Sequence, residues 1–150
     1  VCHQRVVPNT SGGLIDARKE YYEGPLRDCE ILLTSPYGTI IDFRFTDMDI
    51  IASNLQTCED ASLQIYDGDN TNATSLLRAF PNGICGRSIP SFYIRSTGHT
   101  MLLKFKATSP YATKFSAIFT GYSPSTCELR YSSFTFYNDC AKMGLYNENK

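Results

Sequence analysis

The sequence contains no tryptophan, only two histidines and three methionines, and no long apolar run. A membrane-spanning helix needs about 18 or more consecutive apolar residues, so we do not expect direct membrane insertion. The charges nearly cancel, with 14 Lys and Arg against 15 Asp and Glu, for a formal net charge of −1. Nucleic-acid-binding domains usually carry a net basic surface, so this balance argues against nucleic acid as a partner.

Sequence motifs for catalysis are also missing. The chain has no GxSxG nucleophile elbow, no HExxH pair, no phosphate-binding P-loop and no GxGxxG after a strand. Neither His3 nor His99 has a catalytic motif around it. Paired carboxylates for glycoside chemistry converge only in space, so a linear motif cannot report them. We therefore expect a protein that is not an enzyme and needs no cofactor.

What the sequence does contain is six cysteines in 150 residues, a length usual for one domain. None is arranged as CxxC, which argues against a zinc ribbon or a thioredoxin-like redox site. Six cysteines allow many connectivities, and we favour pairing neighbours in sequence. The alternative is six buried free thiols in a cytosolic protein. The three favoured disulfides are Cys2–Cys29, Cys58–Cys85 and Cys127–Cys140.

Two tripeptides, Asn9-Thr10-Ser11 and Asn72-Ala73-Thr74, match the acceptor sequence for N-glycans. With the even number of cysteines, they predict an extracellular, disulfide-bonded protein that carries glycans on Asn9 and Asn72. The chain starts at Val1 and has no charged-then-apolar leader. We expect a processed or excised piece, from which any signal peptide has been removed.

Alternation of apolar and polar residues recurs through most of the chain, while helix signals are nearly absent. This period of two predicts strands, because successive side chains of a strand point to opposite faces of the sheet. Gly, Pro, Asn and Asp separate the runs, as expected for turns. Many short strands joined by turns are typical of an all-β antiparallel sandwich or barrel. The predicted strands lie at residues 30–33, 39–45, 62–66, 76–80, 92–95, 101–106 and 115–120.

The last quarter of the chain follows a different pattern. Tyr122-Ser123-Pro124-Ser125 resembles an exit from the final core strand, so we assign a sandwich domain to residues 1–122 and an extension to residues 123–150. Two short alternating stretches lie between Cys127 and Cys140, which fits a hairpin closed by the third disulfide. An irregular disulfide loop fits these residues as well.

Four acidic residues lie near Cys58 in the sequence. Asp47 and Asp49 precede it, and Glu59 and Asp60 follow it directly. Carboxylates in loops can form a calcium site, since Ca²⁺ takes about six to eight oxygen ligands. The alternative is that they are solvated and favour solubility. Exposed carboxylates also steer basic proteins, so we expect these loops to contact a protein partner.

Several segments together resemble a CUB domain. CEDASLQIYDG begins at Cys58, and the pair Cys85-Gly86 follows it at the family's spacing. MLLKF at residues 101–105 and FSAIF at residues 115–119 fit the later part of the pattern. TIIDFRF at residues 39–45 resembles the strand before the third CUB cysteine, and GLI after Cys2 resembles the opening strand. The resemblance extends from about Cys2 to Tyr122.

The resemblance implies an extracellular β-sandwich of jelly-roll type with bridges Cys2–Cys29 and Cys58–Cys85, in agreement with the order of the cysteines. It implies a non-catalytic module of a secreted protein or receptor ectodomain that binds an extracellular protein ligand or receptor. Two alternatives remain open. The domain could be a carbohydrate-binding adhesin of the spermadhesin type with a glycan as ligand, or a structural and assembly module within a larger modular protein.

The family's calcium site does not carry over to this sequence. Calcium-binding members have a Glu shortly before the third cysteine, an Asp three residues after it and an Asp in the loop before the last strand. Here Ala61 stands three residues after Cys58, residues 50–53 supply no acid, and Thr108 occupies the late loop. The resemblance therefore predicts a CUB domain of the type that does not bind calcium, with no metal ligand.

Overall fold

The computed structural model describes residues 4–6, 13–21, 24–108 and 112–123, the first of these ranges as backbone only. Within these ranges the chain forms eight strands and one short 3-10 helix, Lys19–Tyr21. No helix in the described part is long and apolar enough to cross a membrane. The strands are β1 (Gln4–Val6), β2 (Gly13–Arg18), β3 (Leu26–Thr34), β4 (Ile40–Asp49), β5 (Ala61–Tyr66), β6 (Ile94–Arg95), β7 (Thr100–Ala107) and β8 (Lys114–Tyr122).

The strands form two four-stranded sheets. The first sheet has the order β1-β3-β7-β5, and the second has the order β2-β8-β4-β6. All pairs are antiparallel except β1 with β3, which run parallel. Sequential strands alternate between the sheets, because β4 belongs to the second sheet whereas β3 and β5 belong to the first. The predicted all-β sandwich is confirmed.

Aromatic side chains from both sheets fill the core. Phe105 on β7 and Phe115 on β8 are fully buried, and their rings meet edge to face with centroids 5.2 Å apart. Phe45 contacts Phe115 in the same orientation at 6.2 Å. Edge-to-face pairs add to the free energy gained by burying the rings, because the positive edge of one ring meets the negative face of the other. These contacts join the two sheets across the interior.

Strand prediction succeeds where the alternation is regular and is wrong at residues 76–80. Instead of a strand, this segment forms a turn in which the Phe80 N–H donates to the Leu77 carbonyl at 2.9 Å. The predicted strand at 92–95 shrinks to Ile94–Arg95. The predicted strand at 39–45 continues to Asp49, because a bulge between Phe45 and Asp47 shifts the register there. The shift breaks the alternation while still burying Met48.

A disulfide joins Cys58 to Cys85, with an S–S distance of 2.09 Å and Cα atoms 5.8 Å apart. This is the pairing that the order of the cysteines favours. Cys29 is buried and is also disulfide-bonded, but its predicted partner Cys2 lies outside the described residues. The same holds for Cys127, Cys140 and Asn9, and for residues 124–150 of the assigned extension. These pairings, the glycan on Asn9 and the domain boundary stay predictions.

Candidate interaction surface

An apolar cleft of about 440 Å³ opens beside the Cys58–Cys85 disulfide, and we call it the disulfide cleft. Its volume lies within the range of pockets that hold ligands or anchoring side chains. Phe80 and Phe92 stack along it, with ring centroids 6.2 Å apart and planes 21° apart. Four large apolar side chains of the cleft are at least 40% exposed: Leu55, Phe80, Ile89 and Phe92.

The first wall of the disulfide cleft is a turn at residues 54–58 that carries Leu55. The Asn54 side-chain Oδ1 accepts from the backbone N–H groups of Gln56 at 2.8 Å and Thr57 at 3.3 Å. The Cys58 N–H donates to the Asn54 carbonyl at 2.9 Å, which closes the turn. Because the backbone groups of the turn are satisfied internally, the Leu55 side chain can point outward, where it is 64% exposed.

The second wall is the segment 86–93, which carries Ile89 and Phe92. Backbone hydrogen bonds of 2.7 and 3.0 Å anchor its start, where Gly86 pairs with Ile50 directly after β4. Its far end joins β6, where Ile94 pairs with Phe43. Between these anchors the segment forms no strand, so its side chains are available to line the cleft.

Phe80 reaches the cleft through a tight turn that requires Gly83. The Gly83 N–H donates to the Phe80 carbonyl at 2.9 Å. Gly83 has a φ of +83°, and a Cβ there would lie 2.8 Å from the Leu63 carbonyl oxygen. Only glycine adopts this conformation without strain and allows so close an approach of the two chains. The turn therefore depends on a residue with no side chain.

The apolar surface of the described residues is concentrated in the disulfide cleft. Elsewhere, large exposed apolar side chains occur singly or in pairs, such as Leu14 with Ile118 across β2 and β8. Single exposed apolar residues are ordinary, whereas a contiguous group rimmed by polar residues marks an interaction site. The sequence pattern missed this surface for two reasons. Leu55 lies in a turn outside the alternating runs, and the runs at residues 76–80 and 92–95 were assigned to strands, whereas Phe80 and Phe92 lie outside the strands of the structure. The only available signal was large apolar residues within turn-rich segments.

The four predicted partner-binding carboxylates do not form one cluster. Asp47 and Asp49 lie on β4 of the second sheet, whereas Glu59 and Asp60 precede β5 of the first. Asp47 pairs with the Lys114 ammonium at 3.4 Å, and Asp49 pairs with the Arg87 guanidinium at 3.0 Å. Across the described residues, no group of three or more His, Cys, Asp or Glu is placed to hold a metal ion.

Asp60 is engaged within its own loop. One carboxylate oxygen accepts from the Ser53 backbone N–H at 2.9 Å, and the other accepts from the Ser53 hydroxyl. These hydrogen bonds, first the one from the side chain and then the one from the backbone, hold the pKa of Asp60 below its usual value. Glu59 is exposed and makes no ion pair with a described residue. Contact of these four carboxylates with a partner stays a prediction.

A second, polar groove of about 510 Å³ lies on the outer face of the first sheet. Its basic residues, Lys104, Lys106 and Arg27, are mixed with Asp28 and Glu59, and the Lys104 ammonium lies 3.5 Å from the Asp28 carboxylate. Because positive and negative side chains are mixed here, the groove has no uniformly positive potential that would attract a polyanion. The groove adjoins the disulfide cleft, since Cys58 and Asn82 line both.

The predicted glycan acceptor Asn72 lies in an exposed turn after β5. Its backbone N–H donates to the Asn70 side chain at 2.9 Å, and the Ala73 N–H donates to the Asn70 carbonyl at 3.2 Å. These bonds leave the Asn72 side chain facing solvent, where an N-glycan can be attached without disturbing the core. Glycosylation at Asn72 stays a prediction.

Comparison with known proteins gives a family model, the CUB domain, that matches residues 2–119. Cubilin from Homo sapiens is 38% identical over 82 residues, or 55% of this chain and 2% of cubilin. Cubilin from Sus scrofa is 32% identical over 103 residues, or 67% of this chain and 3% of cubilin. The chain thus spans only a few hundredths of the length of the curated relatives it matches.

Two solved structures share the fold. The CUB1-EGF-CUB2 domains of human MASP-1/3 superimpose with a TM-score of 0.58 at 16% identity, over 78% of this chain and 41% of that one. The full extracellular region of zebrafish Gpr126/Adgrg6 gives a TM-score of 0.56 at 17% identity, over 79% of this chain and 15% of that one. At these identities the similarity concerns the fold alone.

Proposed function

The chain belongs to the CUB domain family, and from that premise we propose that it is a non-catalytic, extracellular protein-binding module of a larger modular protein. Its partner would be an extracellular protein ligand or receptor. We propose that the disulfide cleft is the contact surface. The other matched proteins, cubilin and extracellular-region structures, support an extracellular setting.

The observation that carries this proposal is the group of large, exposed apolar side chains around a fixed cleft. Removing apolar surface from water stabilises a complex by about 25 cal/mol per Å². The cleft is also preorganised, because the disulfide and the Asn54 turn hold Leu55 before any partner arrives. A preorganised surface loses little conformational entropy on binding, so more of the burial appears as affinity.

Two of the four predicted acidic residues, Glu59 and Asp49, adjoin the walls of this cleft. We propose that Glu59, which is exposed beside Cys58, meets a basic group of the partner. Asp49 reaches the same edge through its ion pair with Arg87, which lies at the start of the second wall. Asp60 would act through Ser53, by holding the loop between them, and Asp47 through Lys114, by joining β4 to β8. Charges at a rim mainly affect association rate and salt dependence.

A screen of extracellular proteins with the intact, glycosylated domain tests the proposal. The double variant Leu55→Ser with Phe92→Ser should weaken binding of a captured partner at least tenfold. Leu14→Ser is the matched control, because Leu14 is 69% exposed on β2, in the second sheet. Equal binding by all three proteins would contradict the proposal. A domain that captures no partner and contacts only its flanking domains would instead be a structural spacer.

Tyr37 favours glycan binding as a second candidate function. Its ring is 91% exposed and lies 4.6 Å from the imidazole ring of His99, measured between centroids. Exposed aromatic rings beside polar groups are suited to sugar contacts, since a pyranose face packs on a ring. A glycan array and a heparin column, each run with the domain and with Tyr37→Ala, separate this candidate from the first. Binding that is lost in Tyr37→Ala and kept in Leu55→Ser would favour it.

A further inference from the structure

Three segments that surround the first wall of the cleft meet at one end of the sandwich. The Asp60 carboxylate accepts from the backbone N–H and hydroxyl of Ser53, as described above. The Asp60 carbonyl accepts from Thr108, at 2.7 Å from the backbone N–H and 3.0 Å from the hydroxyl. We call these three residues, Ser53, Asp60 and Thr108, the Asp60 clasp. They join the loop after β4, the start of β5 and the loop after β7.

A metal ion does not fit the residues at this end of the sandwich. The resemblance implies carboxylates where this chain has Ala61 and Thr108. Ala61 is fully buried and offers only a methyl group, and the Thr108 hydroxyl already donates to the Asp60 carbonyl. The Asp60 carboxylate has both oxygens engaged by donors from Ser53. The same three segments are therefore joined by direct hydrogen bonds.

The clasp acts on the turn that carries Leu55. Ser53 directly precedes Asn54, whose side chain caps that turn. At the other end, Cys58 is fixed by its disulfide to Cys85 and lies two residues before Asp60. Holding Ser53 against Asp60 thus brings together the two ends of the loop that contains Leu55, as in a compact surface loop with close ends.

We propose that Asp60 is a positioning residue, which holds the first wall of the disulfide cleft by direct hydrogen bonds to Ser53 without a metal ion. Bonds from an N–H and a hydroxyl to a carboxylate are charge-assisted and stronger than those between neutral groups. The role in binding rests on the proposed function. The clasp itself is a property of the free domain and can be measured with no partner present.

Amide hydrogen exchange and NMR of the intact domain test the clasp. In the native protein, exchange at Ser53 should be equally slow in millimolar Ca²⁺ and in EDTA. Asp60→Ala should speed exchange at Ser53 about tenfold or more, because the acceptor is lost. Asp60→Asn keeps one acceptor oxygen and should restore part of the protection. It must be produced in cells that add no N-glycans, because it creates the acceptor sequence Asn-Ala-Ser at residues 60–62. Asp69→Ala is the matched control, because Asp69 is an acid in an exposed turn whose side chain accepts a hydrogen bond from the Asn70 side chain.

The chemical shift of the Ser53 amide proton gives a readout that a general loss of stability would not move. It should titrate with the ionisation of Asp60 in the native protein and stop titrating in Asp60→Ala. If Asp60→Ala does not fold, Ser53→Ala removes only the hydroxyl donor and should raise the titration midpoint of the Asp60 carboxylate.

Two results would overturn the clasp. One is unchanged Ser53 exchange in Asp60→Ala or an unchanged Asp60 midpoint in Ser53→Ala. The other is protection that rises with Ca²⁺ and falls with EDTA. Suppose the Ser53 exchange rates change as expected but a partner binds Leu55→Ser as tightly as the native domain. That result would refute the proposed contact surface and leave the clasp intact.

Discussion

The two walls of the disulfide cleft are held by different kinds of interaction. The first wall, residues 54–58, is fixed by a disulfide, by the Asn54 cap and by the hydrogen bonds from Ser53 to Asp60. The second wall, residues 86–93, is anchored at its ends, and residues 88–92 make no hydrogen bond to another described residue. These contacts indicate that the first wall is rigid and the second wall is adaptable. A partner could therefore be accommodated by small movements of the second wall alone.

Removing the disulfide should have the largest effect on the stability of the domain and on the difference in rigidity between the two walls. Cys58 and Cys85 are 27 residues apart in sequence, and closing such a loop stabilises the folded state by about 3–4 kcal/mol. The double variant Cys58→Ala with Cys85→Ala should lose stability of that order in urea denaturation. It should also raise amide exchange in the first wall more than in the second. Equal loosening of the two walls would contradict the assigned difference.

Gly83→Ala should cause the next largest loss of stability. The substitution forces a Cβ to within 2.8 Å of the Leu63 carbonyl at a φ that disfavours side chains. A cost of about 1–3 kcal/mol is expected from the backbone strain alone. Gly98→Ala is the matched control, since a Cβ there meets nothing within 4 Å. Thermal melting of the two variants measures the difference, and a similar melting temperature for both would refute the requirement for glycine.

Acid should loosen the first wall through protonation of Asp60. The pKa of Asp60 in the folded protein is lowered from 3.8, first by the hydrogen bond from the Ser53 side chain and with a smaller contribution from Lys106. A lowered pKa means that the ionised carboxylate adds stability above pH 3.8, which is lost as the pH falls through the folded-state pKa. Exchange at Ser53 should therefore stay constant from pH 7 to 5, after correction for the intrinsic rate, and rise only below about pH 4. A rise between pH 6 and 5 would contradict this assignment.

Arg87→Ala should have the smallest effect. The Arg87 side chain is 81% exposed, and solvent screens its ion pair with Asp49. Exposed pairs contribute about 0–1 kcal/mol, so global stability should hardly change. Because this pair supports the second wall, high salt and Arg87→Ala should both loosen residues 87–93 slightly and leave Ser53 unaffected. A loss of several degrees in melting temperature would show that the second wall is held more firmly than its contacts indicate.

Sequence periodicity predicted the parts of the fold in which one strand face is buried throughout. On β7, Met101, Leu103 and Phe105 alternate with polar or outward-facing residues and fill the core as expected. On β4, the alternation fails at the bulge after Phe45, so the strand extends beyond its predicted end. On β1, three residues are too few to show a period, so this strand was not predicted.

The candidate surface was less predictable because it depends on contacts distant in sequence. Leu55 and Phe92 are 37 residues apart, and only the folded chain brings them to the same cleft. Asp60 was identified as one of four acids with a shared role. The determining fact is instead its hydrogen bonds to Ser53, and no motif in the sequence marks that residue. The residue types in the sequence indicated which segments carry acidic side chains. Which apolar side chains are exposed depends on how the turns fold, and the sequence pattern did not show that.

The most direct test of the disulfide cleft as the binding surface is amide exchange on the glycosylated domain with and without a captured partner bound. We expect protection on binding to be concentrated at residues 54–58 and 86–93, with the larger change in the second wall because fewer hydrogen bonds hold it in the free domain. Protection centred on Tyr37 and His99, or on the face that carries Leu14 and Ile118, with no change in either wall, would contradict the disulfide cleft as the interface.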